Sequence, residues 1–185
     1  MKKLITLFLL TFILISCGSA IELTQEYIDN QYNVEDRSIS LENNQLSGFI
    51  NLNEFKNDIE VNNIYLSNNK IEVLNISDFN KLWKLDISNN NIRFISDLNL
   101  PLNTRHLNIS NNNLDSLSWL DKYENIKTLN ISNNNLDDND LKDIVKLKKL
   151  IFIKAEWNNF TAEMLQSINS INHRFLLKNN DPFVK

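Results

Sequence analysis

The sequence predicts an α/β solenoid, a stack of short parallel strands joined by turns and short helical returns. Three observations carry this reading. An eight-residue string with alternating apolar positions recurs at a nearly constant step along the chain. Asn occurs 34 times in 185 residues, and seven of these mark one fixed position of that string. With only two Gly (Gly18, Gly48) and two Pro (Pro101, Pro182), the many bends must be held by side chains. The composition, 42% hydrophobic and 23% charged, is that of a folded chain. One Cys excludes an internal disulfide and a cysteine-based zinc site. A net charge of -4 argues against nucleic acid as partner.

The first element, residues 1–16, reads as a signal peptide. Lys2 and Lys3 precede an apolar run from Leu4 to Ile15 broken only by Thr6 and Thr11. That run is shorter than the roughly 20 residues a membrane-spanning helix needs. Leu14-Ile15-Ser16-Cys17 resembles the bacterial lipobox, which implies acylation of Cys17 and anchoring of the mature chain in a membrane. Cleavage before Cys17 leaves 17 cationic side chains against 23 acidic ones, a net of -6. Residues 17–22 are then the lipidated Cys and a short tether, and residues 23–37 an N-terminal cap. Thr24 is the N-cap of a short helix there, with Tyr27, Ile28 and Tyr32 as its apolar residues.

Residues 38–185 form the repeat domain. Ile64-Tyr65-Leu66-Ser67-Asn68-Asn69-Lys70-Ile71 returns almost unchanged from Leu85 to Ile92, Leu107 to Leu114 and Leu129 to Leu136, with weaker copies from Ile39 to Leu46 and Ile153 to Phe160. All six match L-x-x-L-x-L-x-x-N-x-L, and the chain resembles the leucine-rich repeat family, in particular bacterial lipoproteins built from short repeats of about 22 residues. The motif residues are Asn44, Asn69, Asn90, Asn112, Asn134 and Asn158, spaced 25, 21, 22, 22 and 24 apart. A further step reaches Asn180, which marks a degenerate seventh copy. The resemblance implies an arc with parallel strands on its concave face and 3-10 turns or short helices on the convex side.

Elementary chemistry accounts for the motif. In each L-x-L the apolar residues share one face of a strand, and that face is buried only when turns stack. The chain then bends away, leaving backbone N–H and C=O groups without partners. A buried Asn carboxamide donates and accepts at once, so a ladder of Asn can satisfy them. The neighbouring Asn89, Asn91, Asn111, Asn113, Asn133 and Asn135 are left to turns or solvent. On the return path Ile95, Leu98, Leu100 and Leu102, then Leu117, Leu120 and Tyr123, are expected to point inward. Asp137-Asp138-Asn139-Asp140 before Leu141, Ile144, Val145 and Leu147 reads as a capped helix start rather than a calcium loop, since the Gly and distal Glu of such a loop are missing. Residues 161–168 read as a closing helix.

No catalytic site is expected. His106 and His173 lie in different repeats, no nucleophile elbow or phosphate loop is present, and Ser67, Ser88, Ser110 and Ser132 recur by register alone. No cofactor and no metal site is predicted. The outward positions of the strands include Ser38, Ser40 and the four recurrent serines. Its informative exceptions are Tyr65, Lys84, Asp86, His106, Phe152, Lys154, Glu156 and Trp157, with Trp83 at the rim. Phe152 and Trp157 could equally pack under the C-terminal cap. Aromatics with a few charges suit protein recognition. The expectation is a monomeric, lipid-anchored module of the bacterial cell envelope, at the outer membrane or cell surface ahead of the inner membrane. Its partner would be a host or envelope protein, bound on the concave face without catalysis. The alternatives are a structural or assembly protein of the envelope, or a periplasmic regulator of another protein.

Overall fold

The computed structural model describes residues 23–55, 60–118, 120–164 and 166. The signal segment with Cys17, and the seventh copy with His173 and Asn180, lie outside the described residues. Among those described, no helix is long and apolar enough to cross a membrane.

The chain opens with α1 (Gln25–Asn30), where Thr24 Oγ1 accepts from the Tyr27 amide at 3.1 Å. Ten strands follow: β1 (Tyr32–Asn33), β2 (Ser38–Ser40), β3 (Ser47–Asn51), β4 (Asn63–Tyr65), β5 (Lys70–Asn75), β6 (Lys84–Asp86), β7 (Leu98–Asn99), β8 (His106–Asn108), β9 (Thr128–Asn130) and β10 (Phe152–Lys154). A second helix, α2 (Asp138–Ile144), lies between β9 and β10.

The main sheet runs β1-β2-β4-β6-β8-β9-β10. All its pairs are parallel except β1, which lies antiparallel to β2 with Tyr32 opposite Ile39. β1 is an addition to the helical cap expected from sequence, and it covers the first edge of the sheet. The central residues Ile39, Ile64, Leu85, Leu107, Leu129 and Ile153 stand in one register and all are buried. Three residues cannot form a stable strand alone, so this column is the physical reason that the stack holds.

Behind the column each turn is closed by the expected Asn. Asn112 accepts from the Ile92 amide at 2.9 Å and shares its N–H groups among the carbonyls of Ile87, Ile109 and Ser110 at 3.0 to 3.2 Å. Two of those partners, Ile92 and Ile87, belong to the preceding turn, so each carboxamide ties its own bend to the one before. Asn69, Asn90, Asn134 and Asn158 repeat the pattern. Asn44 has no earlier turn to bind, and its Oδ1 accepts the Tyr27 hydroxyl from the N-terminal cap at 2.6 Å.

The residue before the ladder Asn has its own task. Asn43, Asn68, Asn89, Asn111 and Asn133 all adopt φ of 53 to 60°, the left-handed region that Asn tolerates better than other non-glycine residues. Further Asn pairs run across turns elsewhere: Asn53 and Asn99 both donate to Asn75 Oδ1, at 3.1 and 2.8 Å, and Asn103 and Asn125 donate to the carbonyls of Asn80 and Leu102.

The return side differs in part from expectation. It carries 3-10 segments at Leu52–Phe55, Ile95–Asp97 and Leu120–Lys122, and also a second parallel sheet of β3, β5 and β7. Once the main sheet sets the turn spacing, extended segments after each ladder Asn lie at pairing distance, and Ile50, Leu74 and Leu98 bury their side chains between the sheets. Leu102, expected to point inward, is 62% exposed. The turn closed by Thr104 Oγ1 donating to the Pro101 carbonyl, at 2.8 Å, places Leu102 at its outer corner, and Thr104 is buried in its stead. Val145 is likewise outward, because α2 ends at Ile144.

The acidic start of α2 is a capping box. Asp137 accepts from the Asn139 amide and Asp140 from the Asp137 amide. The other carboxylate oxygen of Asp140 accepts the Leu117 amide at 2.8 Å, so this carboxylate joins two turns as a ladder Asn does. Asp138 receives the amide and hydroxyl of Thr161. Of the closing helix expected over 161–168, residues 162–164 and 166 are helical, and the remainder lies outside the described residues.

Candidate functional site

Because β2, β4, β6, β8, β9 and β10 share one register, their outward side chains form columns across the main sheet. The first runs Ser38, Asn63, Lys84, His106, Thr128, Phe152, and the second Ser40, Tyr65, Asp86, Asn108, Asn130, Lys154. The two columns line a groove of about 240 Å3 over β6, β8, β9 and β10.

Three contacts order the face beside the β6 end of this groove. The Lys84 ammonium lies 5.0 Å from the centre of the Tyr65 ring and 3.4 Å from its hydroxyl. Trp83 is 44% exposed, yet its indole N–H donates to Asn63 Oδ1 at 2.8 Å, which fixes the ring at the rim. The His106 ring meets Trp83 edge-on, with centroids 6.1 Å apart, and its Nδ1 is 2.9 Å from Thr128 Oγ1. Partial burial, reinforced by Lys84, Lys127 and Arg105, pushes the His106 pKa below its ordinary value. Both effects favour the neutral imidazole.

Asp86 is less available than its position in the second column implied. Its carboxylate accepts from the Ser88 amide and hydroxyl, at 3.0 and 2.6 Å, and from Asn108 Nδ2 at 2.9 Å. The serines beyond the strands also depart from the outward placement expected of them. Ser38, Ser67, Ser88 and Ser110 are buried, with hydroxyls donated to Asp36, Glu42, Asp86 and Asn108. Ser38 opens β2 and the other three lie just past their strands, and none of the four offers a bindable surface.

Tyr65, Trp83, Lys84, Asp86, His106, Phe152 and Lys154 thus share one face. Phe152 is 38% exposed beside Lys154 at its last strand. Glu156 and Trp157 lie past the strand end in the final described bend, where Trp157 is 47% exposed. Two cations escaped the sequence reading, Arg105 and Lys127. They occupy the slot just before the strand, the one held by Trp83 two strands earlier: the amides of Arg105, Lys127 and Ile151 donate to the carbonyls of Trp83, Arg105 and Lys127 in turn, at 2.7 to 2.8 Å. The signal was present in the repeat alignment one position upstream of each strand.

The Leucine Rich Repeat family matches residues 125–147, which cover β9, its bend and α2. With the register and the Asn ladder, this decides the architecture. The fold is that of a leucine-rich repeat protein. Among solved structures, the chain is similar to an internalin from Listeria monocytogenes, at 26% identity and a TM-score of 0.51. That match covers 60% of this chain and 34% of the other, so the chain spans about a third of its length. An internalin C2 from the same organism matches at 21% identity and a TM-score of 0.47, covering 80% of this chain and 71% of the other. No curated protein sequence matches the chain. The leucine-rich repeat arc carries short parallel strands on one face, 3-10 and short helical segments on the other, and its groove lies on the strand face.

Proposed function

We propose that this leucine-rich repeat chain is a membrane-anchored, non-catalytic module that binds a partner protein on the strand face. The observation that carries the reading is the in-register strand face, with Tyr65, Trp83 and Phe152 held partly exposed on it or at its rim, near Lys84, His106 and Lys154. Rigid aromatics set among charges supply large contact areas at small entropic cost, as in protein-binding hot spots. The rest of the face is small and polar, and its carboxamides and hydroxyls are engaged with one another, so affinity concentrates in the named side chains.

The lipobox-like segment ending in Cys17 supports a lipid anchor, and with it a bacterial envelope location, at the outer membrane or cell surface ahead of the inner membrane. The partner is then a host protein or another envelope protein. Two tests are direct. Cys17→Ala is expected to abolish palmitate incorporation and release the chain to the soluble fraction; continued labelling refutes the anchor. Capture of a partner by the full chain is expected to be lost in a folded Tyr65→Ala, Lys84→Ala, Phe152→Ala variant, and unchanged capture moves the site off this face.

A further inference from the structure

The strand face is asymmetric in charge. Lys84 pairs in register with His106, Arg105 and Lys127 hold the slots just before β8 and β9, and Lys154 extends the basic side along the groove. Among the described residues Arg105, Lys127 and Lys154 take part in no ion pair. The acids of the same face are differently placed. Asp86 is committed to three donors, Glu42 receives the Ser67 and Ser40 hydroxyls two turns away, and Glu156 sits past the end of its strand. Net charge does not explain this, since the chain as a whole carries -4. Nor is the basic side purely ionic, for Trp83 stands in the same slot as Arg105 and Lys127, and Ile151 follows them at 60% exposure.

We infer that this rim takes a short acidic segment of a partner protein, its carboxylates on Arg105, Lys127 and Lys84 and its apolar side chains against Trp83 and Phe152. The inference rests on the docking face proposed above and names the chemistry that face selects. The three cations belong to the neighbouring strands β6, β8 and β9, which span two strand spacings, about 10 Å, or the reach of about three extended residues. That length suits a cluster of two or three carboxylates and is short for a polyanion. A polymer following the arc would meet the acidic remainder of the chain. His106 lies in the same column with Nδ1 against Thr128 Oγ1, so its Nε2 is the ring nitrogen left to hydrogen-bond a carboxylate or backbone group of the occupant.

The test is selection of a random dodecapeptide library on the immobilised full chain, with heparin as a competing polyanion. Enriched peptides are expected to be rich in Asp and Glu, and to bind about tenfold more weakly to an Arg105→Glu, Lys127→Glu variant. Arg105→Gln, Lys127→Gln should weaken them less and serves if the charge reversal fails to fold. Acidic peptides that bind the reversed variant unchanged overturn the assignment. So does heparin binding the rim in preference to every peptide. Enriched peptides without acidic bias that are lost on Tyr65→Ala, Phe152→Ala would overturn the acidic occupant while leaving the docking face in place. A library that yields no binder counts against both.

Discussion

Two bends of the same stack keep the ladder Asn and differ at the residue before it. In the regular bend Asn111 takes φ 54° and Asn112 closes the ladder; in the last described bend Trp157 takes φ 62° ahead of Asn158. A bulky aromatic in the left-handed region is strained where Asn is tolerated, by an amount on the order of 1 kcal/mol. The ladder side chain behind it is the same, and so are its hydrogen bonds to the carbonyls of Ile131 and Ala155. Turn formation therefore depends on the carboxamide, which binds two turns at once, while the preceding residue adjusts strain and is free to carry an exposed ring. Departures from a repeat rule that leave the shared bonds intact point to a surface role.

The largest effect that would break this comparison is at the ladder itself. Asn112→Ala leaves the buried Ile92 amide unpaired and removes one of the two ladder donors from each of the Ile87 and Ile109 carbonyls, which Asn90 and Asn134 still reach, and is expected to cost about 2 kcal/mol. A denaturation midpoint equal to wild type would remove the ladder from the account. Asn158→Ala should cost less, because its site is half-buried and the turn beyond lies at the end of the described stack. Asn111→Ala strains the left-handed residue and removes the exposed hydrogen bond that Asn111 Oδ1 accepts from Asn133, for about 1 kcal/mol together. Trp157→Asn should be neutral or stabilising, by up to about 1 kcal/mol, measured by thermal melting. A clear loss of stability there would mean that the Trp157 ring packs and is not held for contact.

The smallest effect is electrostatic. His106 has its folded pKa lowered, so protonation favours the unfolded chain. Its contribution is present above the unfolded value of about 6.5 and is lost as pH falls from there through the folded pKa. His106→Gln should flatten that part of the stability profile between pH 7 and pH 5, with little change at pH 7. A proton titration by NMR that places His106 above the ordinary histidine value would reverse the sign.

Some features were legible because they repeat. Leu85, Leu107 and Leu129 announce their column by alternation, and the ladder Asn of each bend by a step of about 22 residues, since identical turns must solve the same burial and hydrogen-bond problem. The capping box of α2 was legible for a local reason, the acidic residues before an apolar run. Features that depend on a neighbouring turn were not. Nothing in Leu102 itself reveals that Thr104 closes a turn on Pro101 and turns the leucine outward. Nor did the strand rule, applied one strand at a time, find Arg105 and Lys127 beside His106.

The sequence by itself determined the solenoid, its register and the aromatic members of one face, because backbone periodicity and side-chain alternation are local. Only the tertiary structure decided that the return side pairs as a second sheet, that the Asp86 carboxylate is engaged by Ser88 and Asn108, and that Arg105 and Lys127 stand in consecutive slots beside the His106 column. Each of these depends on which residue the adjacent turn places alongside, at strand spacing and some 20 residues away in the chain, a distance over which no local preference acts.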